Sequence, residues 1–122
     1  MKILIAEDDN FLIKAYNAKF TNAGWEVVVA QDGEETLAVL NKSPLPDVIL
    51  LDLMMPKKDG FAVLVELKKD SKLKQIPVVV ASNLGQKEDL DRAISLGADD
   101  FIVKSEMSIE DLERKLKSYA KA

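Results

Sequence analysis

The sequence contains no histidine and no cysteine. Without cysteine there can be no disulfide and no thiolate zinc site. Without histidine there can be no Ser-His-Asp triad, no imidazole base and no His-ligated metal. Any chemistry must run on carboxylates, lysines and hydroxyls. Positive charge is also in short supply. The chain carries 17 Lys and Arg against 21 Asp and Glu, a net charge of −4. Sequence-independent nucleic-acid binding needs a basic face that displaces counterions, so no direct nucleic-acid partner is expected. No apolar run approaches the roughly 20 residues of a membrane span. The apolar start, Met1 to Ala6, is too short for a signal peptide and runs into Glu7-Asp8-Asp9, where a cleavage site wants small residues. These absences lead to the expectation of a cytoplasmic chain with no membrane partner.

What is present is an ordinary globular balance, 48% hydrophobic and 31% charged over 122 residues. That length suits one domain spanning 1–122. Strand-like and helix-like segments alternate along it. Ile3 to Ala6, Val27 to Val29, Val48 to Leu51, Val78 to Ala81 and Phe101 to Val103 are short apolar runs. Between them, apolar residues recur at helical spacing. Examples are Ile13, Tyr16, Phe20 and Ala23; then Phe61, Leu64 and Leu67; then Leu90, Ala93, Ile94 and Gly97; then Ile109, Leu112, Leu116 and Tyr119. The 4 prolines and 5 glycines all fall at the boundaries of these segments. Strands that are apolar without alternation are buried on both faces. The expected fold is therefore α/β, a doubly wound, five-stranded parallel sheet built from five βα units with helices on both sides.

In such sheets, ligands bind beyond the carboxyl ends of the strands, where strand order reverses. Glu7, Asp8, Asp9 and Asn10 follow the first strand, and Asp52 follows the third. Ser82 and Asn83 follow the fourth, and Lys104 and Ser105 the fifth. If the strand order is 2-1-3-4-5, Asp8, Asp9 and Asp52 converge on one cleft. Three close carboxylates repel unless a cation joins them. With oxygen ligands alone, a hard ion such as Mg2+ is expected, with Mn2+ as a substitute. A lysine and a hydroxyl at the rim suit phosphate. Asp52 is then placed to act as a nucleophile toward a phosphoryl group. Taken singly, each of these residues could be a turn, a cap or a surface charge. Asp32 and Asp59 read as turn and cap residues, and Ser108, with Asp111 three residues on, reads as a cap for the last helix.

Five segments resemble the receiver domains of two-component response regulators, the chemotaxis receivers among them. They are Ile3 to Asp9, Pro46 to Pro56, Asp59-Gly60, Ile76 to Ser82 and Leu96 to Lys104. They occur in family order and at family spacing across nearly the whole chain. The resemblance implies a flavodoxin-like fold of order 2-1-3-4-5. It implies Asp52 as phosphoacceptor, Asp8 and Asp9 as the metal-binding pair, and the Met54 backbone carbonyl as a further metal ligand. Ser82 matches the switch hydroxyl, Lys104 the phosphate-pairing lysine and Phe101 the aromatic switch residue. The implied donor is a histidine kinase or a histidine phosphotransfer protein, because this chain has no histidine of its own. The implied readout face is the fourth helix, fifth strand and fifth helix. Arg92, Asp99, Asp100 and Lys115 on that face suit a phosphorylation-favoured homodimer, or simply a solvated charged surface.

Two positions depart from the family pattern. Ser105 follows Lys104 where proline is common, so the loop from Ser105 to Met107 is expected to differ. Met54 and Leu84 stand two residues beyond Asp52 and Ser82, and neither can orient a water. Slow self-dephosphorylation is the expectation. Three other readings compete. A flavin binder would want small and hydroxyl residues after the first strand, where this chain is acidic. A magnesium-dependent hydrolase would want a second acid at Met54. A receiver-like interaction module that is never phosphorylated would be expected to have lost one of the five key groups. No output segment follows the last helix, so the sequence is either a stand-alone receiver or part of something longer.

Overall fold

Val48-Ile49-Leu50-Leu51-Asp52 is buried at every position, a pattern that only a strand covered on both faces can show. It is the centre of a parallel sheet in the computed structural model, which describes residues 1–42, 44–83 and 85–120. The elements are β1 (Lys2–Ala6), α1 (Asn10–Asn22), β2 (Glu26–Ala30), α2 (Gly33–Leu40), β3 (Val48–Asp52), α3 (Gly60–Lys69), β4 (Val78–Ser82), α4 (Lys87–Ser95), β5 (Asp100–Val103) and α5 (Ile109–Ala120). Single 3-10 turns occupy Leu73–Gln75 and Lys104–Glu106. The five strands run in the order β2-β1-β3-β4-β5. Strand order therefore reverses between β1 and β3, the expected place for a ligand cleft.

Successive strand residues point to opposite faces, which divides the core in two. Leu4, Ile49, Leu51, Val78 and Val80 face the layer that contains Leu40, Val63, Leu64 and Leu67. Ile3, Ile5, Val48, Leu50 and Val79 face Tyr16, Phe20, Leu112 and Leu116. The second layer includes a stacked aromatic run, with ring centroids 6.1 Å apart for Tyr16–Phe20 and 5.1 Å for Phe20–Trp25. Gly24 follows the end of α1 at φ 87, a left-handed turn that glycine makes without steric penalty. Asp32, Asp59 and Ser108 each accept an N–H in the first turn of the helix that follows, as the turn-and-cap reading requires.

One helix differs from its sequence pattern. Leu90 and Ile94, read as inward-facing, are 40% and 44% exposed, while Ala93 between them is buried. At roughly 100° per residue, positions three before and one after a residue lie on the same side of it, about 60° and about 100° round the helix. The small Ala93 is buried in the core, and Leu90 and Ile94 share one partly exposed flank of α4. The segment after Lys104 forms a 3-10 turn.

Register decides where the strand ends fall. Ala6 pairs with Leu51, and Asp52 pairs with Ala81. Ser82 pairs with Val103, so Lys104 begins one step beyond β5. The carboxyl ends of β1, β3, β4 and β5 thus form one rim.

Candidate functional site

Asp52 is the last residue of β3, and its flanks are apolar strand on both sides, so it is 5% exposed. Glu7 leaves β1 and is held by its own N–H, which donates to the Ala30 carbonyl at 2.9 Å. Its carboxylate turns inward and the residue is 3% exposed. Lys104 reaches across from the end of β5. Its Nζ lies 2.6 Å from Glu7 Oε1 and 3.3 Å from Asp52 Oδ1. Asp8 completes the group at the exposed mouth. Glu7, Asp8 and Asp52 each offer a carboxylate oxygen, and these oxygens lie within 4.8 Å of one another.

This grouping differs from the expected metal pair. Asp9 stands outside it and is the N-cap of α1. Its Oδ1 accepts from the N–H of Phe11 at 2.9 Å and of Leu12 at 3.2 Å. The reason is local. α1 starts at Asn10, so the residue before it must satisfy the first open N–H groups of the helix. The acidic pair at the cleft is Glu7 with Asp8. Glu7 carries its own signal in the sequence as the first residue after the strand, next to the more conspicuous Asp8-Asp9 doublet. Asp9→Ala is expected to lower stability by about 1 kcal/mol while leaving Mg2+ affinity unchanged. Asp8→Ala should do the reverse, and calorimetric titration with urea unfolding in parallel separates the two.

The Lys104 ammonium meets two buried carboxylates, Glu7 and Asp52, so negative charge is in surplus. Burial first, and the Glu7 carboxylate second, push the Asp52 carboxyl up to about 6, against the pull of Lys104. Burial alone would draw the Lys104 ammonium down. The Glu7 and Asp52 carboxylates more than reverse this and hold its pKa above the ordinary lysine value. The donor set is all oxygen and carries excess negative charge, which fits a hard divalent cation.

The other expected site residues lie around this centre. Met54 follows in the loop after β3, and its N–H points at Asp52 Oδ1, 3.4 Å away. Ser82, the buried end of β4, borders a cavity of about 200 Å3 with Leu53, Met54, Phe61, Asn83 and Asp89. Phe101 pairs with Val80 and packs half-buried against the first core layer, with β4 between its strand and that of Asp52. Leu84 lies outside the described residues. On the α4-β5-α5 face, the four charges are engaged within the chain. Lys115 Nζ lies 2.7 Å from Asp100 Oδ2, and Asp99 Oδ2 accepts from the Val78 N–H at 2.8 Å. Arg92 lies over the Phe61 ring, 4.0 Å from its centroid.

Comparison with known proteins identifies the family. The family model described as the response regulator receiver domain matches residues 3–117. The chain belongs to that family. It is a receiver domain of two-component signalling, a signalling module rather than an enzyme in the ordinary sense. The receiver domain of the Francisella response regulator 1452 is similar, with 33% identity and a TM-score of 0.89 over 98% of this chain and 96% of that one. The phosphorylated cyanobacterial phytochrome response regulator RcpA has 37% identity and a TM-score of 0.84, over 96% and 89% of the two chains. Among curated relatives, the probable transcriptional regulator ycf27 of Guillardia theta is 38% identical over 96% of this chain and 44% of its own length. The response regulator PleD of Caulobacter vibrioides is 40% identical over 84% of this chain and 22% of its own. The receiver thus spans less than half the length of these two relatives. No helix among its described residues is long and apolar enough to cross a membrane.

Proposed function

We propose that this receiver takes a phosphoryl group onto Asp52 and thereby changes how its α4-β5-α5 face binds a partner protein. The observation that carries the reading is the buried Asp52 carboxylate between Lys104 and the Glu7-Asp8 pair, at the reversal of strand order. The donor is a phosphohistidine on a histidine kinase or a histidine phosphotransfer protein. The P–N bond breaks, an Asp52 Oδ–P bond forms, and the donor imidazole keeps the electron pair. Asp52, with its pKa near 6, is ionised at neutral pH and able to attack.

A Mg2+ or Mn2+ ion held by Glu7, Asp8 and Asp52, with the Met54 carbonyl, would supply the positive charge that phosphoryl oxygens need beside carboxylates. Lys104 pairs with a phosphoryl oxygen, and the Ser82 hydroxyl donates to another. Drawing Ser82 toward the phosphoryl group frees space beside β4 for Phe101 to turn inward. The phosphoryl group favours this arrangement by binding it more tightly than the resting one. A phosphorylation-favoured homodimer through the same face requires Asp100 and Lys115 to exchange their present partners.

The test is intact mass after incubation with acetyl phosphate and Mg2+, with Asp52→Asn in parallel. One added phosphoryl group is expected, dependent on Mg2+ and absent from the variant. It should persist for minutes or longer, because the Met54 side chain cannot orient a water. No gain from acetyl phosphate, and none from a phosphorylated kinase, would leave an interaction module that works unphosphorylated.

A further inference from the structure

The loop between β3 and α3 carries Met54, and its backbone is strained. Lys57 has φ 68, the left-handed region that non-glycine residues rarely adopt. Such a conformation persists only where the surroundings over-determine it. Part of the constraint lies inside the loop. The Lys58 N–H donates to the Pro56 carbonyl at 2.7 Å, and the Gly60 N–H closes the loop on the Leu53 carbonyl at 2.9 Å. The rest comes from the junction of β2 and α2. Asp32 Oδ2 lies 3.7 Å from Lys57 Nζ. The Gly33 N–H points at the Pro56 carbonyl, 3.5 Å away. A Cβ built on Gly33 would land on the Lys58 carbonyl oxygen, well inside van der Waals contact. Backbone therefore rests on backbone here, and only glycine permits it.

The junction is itself rigid. Asp32 Oδ1 accepts from the Glu35 N–H at 2.7 Å, and the Glu35 carboxylate accepts from the Gln31 N–H at 2.6 Å. The buried Thr36 hydroxyl donates to the Asp32 carbonyl at 2.7 Å. This is a reciprocal cap, tied down on both sides of the residue that meets the loop.

We infer that Asp32-Gly33 is a strut that positions the β3–α3 loop and so sets where the Met54 carbonyl stands relative to the carboxylate cluster. The consequence for cation binding rests on the metal reading proposed above. The strut itself does not, because its contacts exist without any ion. Asp32 and Gly33 are positioning residues that touch neither phosphoryl group nor metal.

The experiment compares the whole chain with Gly33→Ala and with Leu116→Ala, a core control on the opposite face. Amide hydrogen exchange at Lys58 and Gly60 is measured without metal, and Mg2+ affinity by calorimetry. Gly33→Ala is expected to speed exchange at both amides at least tenfold relative to Leu116→Ala, and to weaken Mg2+ binding at least fivefold. Exchange no faster than in the control would overturn the strut. Fast exchange with unchanged Mg2+ affinity would overturn its role in the site. Fast exchange in a protein whose parent binds no Mg2+ would support the strut and remove the metal reading instead. Should Gly33→Ala not fold, Asp32→Asn keeps the cap oxygen and removes the charge facing Lys57. An effect of about threefold on the same two readouts is then expected, and no effect would overturn the strut.

Discussion

Lys104→Met is expected to destabilise the metal-free receiver by about 3–5 kcal/mol at pH 8, the usual range for removing one partner of a buried ion pair. Methionine keeps most of the lysine stem, so little packing is lost. What goes is the charge. Lys104 Nζ lies 2.6 Å from Glu7 and 3.3 Å from Asp52, and all three side chains are less than a tenth exposed. Without it, two buried carboxylates face each other with no cation between them. The loss should shrink as pH falls, because Asp52 without Lys104 takes up its proton at a pH above the parent's value of about 6, and the repulsion then ends. Saturating Mg2+ should also restore part of it, since an ion bound only to the folded state stabilises that state. Urea unfolding followed by the fluorescence of Trp25, the single tryptophan, reads all three conditions. A loss below 1 kcal/mol at pH 8 without metal would show that solvent already screens the cluster.

Asp52→Asn should have the opposite sign. In the metal-free protein it is expected to raise stability above pH 6, even as it abolishes phosphoryl uptake. The folded-state pKa of Asp52 is about 6, against 3.8 for an ordinary aspartate in water. Between these values the folded protein holds more protons than the unfolded chain, so stability falls as pH rises through that window. Below it the carboxyl contributes no penalty, and above it the penalty is complete. The full shift corresponds to roughly 3 kcal/mol at 1.36 kcal/mol per unit. Solvent at the mouth of the cleft, beside the exposed Asp8, reduces this to about 1–2 kcal/mol. Asparagine cannot ionise, and Lys104 keeps its contact with Glu7. The variant should therefore match the parent near pH 4 and exceed it at pH 8. Saturating Mg2+ should narrow or reverse the difference, because the parent offers the ion one more carboxylate. A parent chain more stable than Asp52→Asn at pH 8 without metal would refute the account.

Much of the molecule was legible without coordinates because its signals are local. Val48 to Leu51 and Val78 to Ala81 are apolar without a break, and a strand buried on both faces needs nothing more to declare itself. Every proline and glycine falls in a connection between elements or at the first residue of a helix. Asp32, Asp59 and Ser108 read as caps, because a cap depends only on the residues that immediately follow it. The inward stripe of α4 was less legible. Leu90, Ala93 and Ile94 have helical spacing, but which of them meets the sheet depends on how α4 is rotated against β4 and β5. The small Ala93 is the one buried.

The sequence by itself determined the alternation of five βα units and the chain positions of the acids, the hydroxyl and the lysine at the strand ends. Those follow from periodicity and punctuation, which act over a few residues. Only the tertiary structure decided which carboxylates share the cleft. A step of two residues carries a side chain from buried cluster to helix cap, and the start of α1 at Asn10 assigns Glu7 to the cluster and Asp9 to the cap. The strut at Gly33 is likewise absent from any local pattern. It exists because Lys58, 25 positions along the chain, brings its backbone against that glycine once β2 and β3 flank β1 in the sheet.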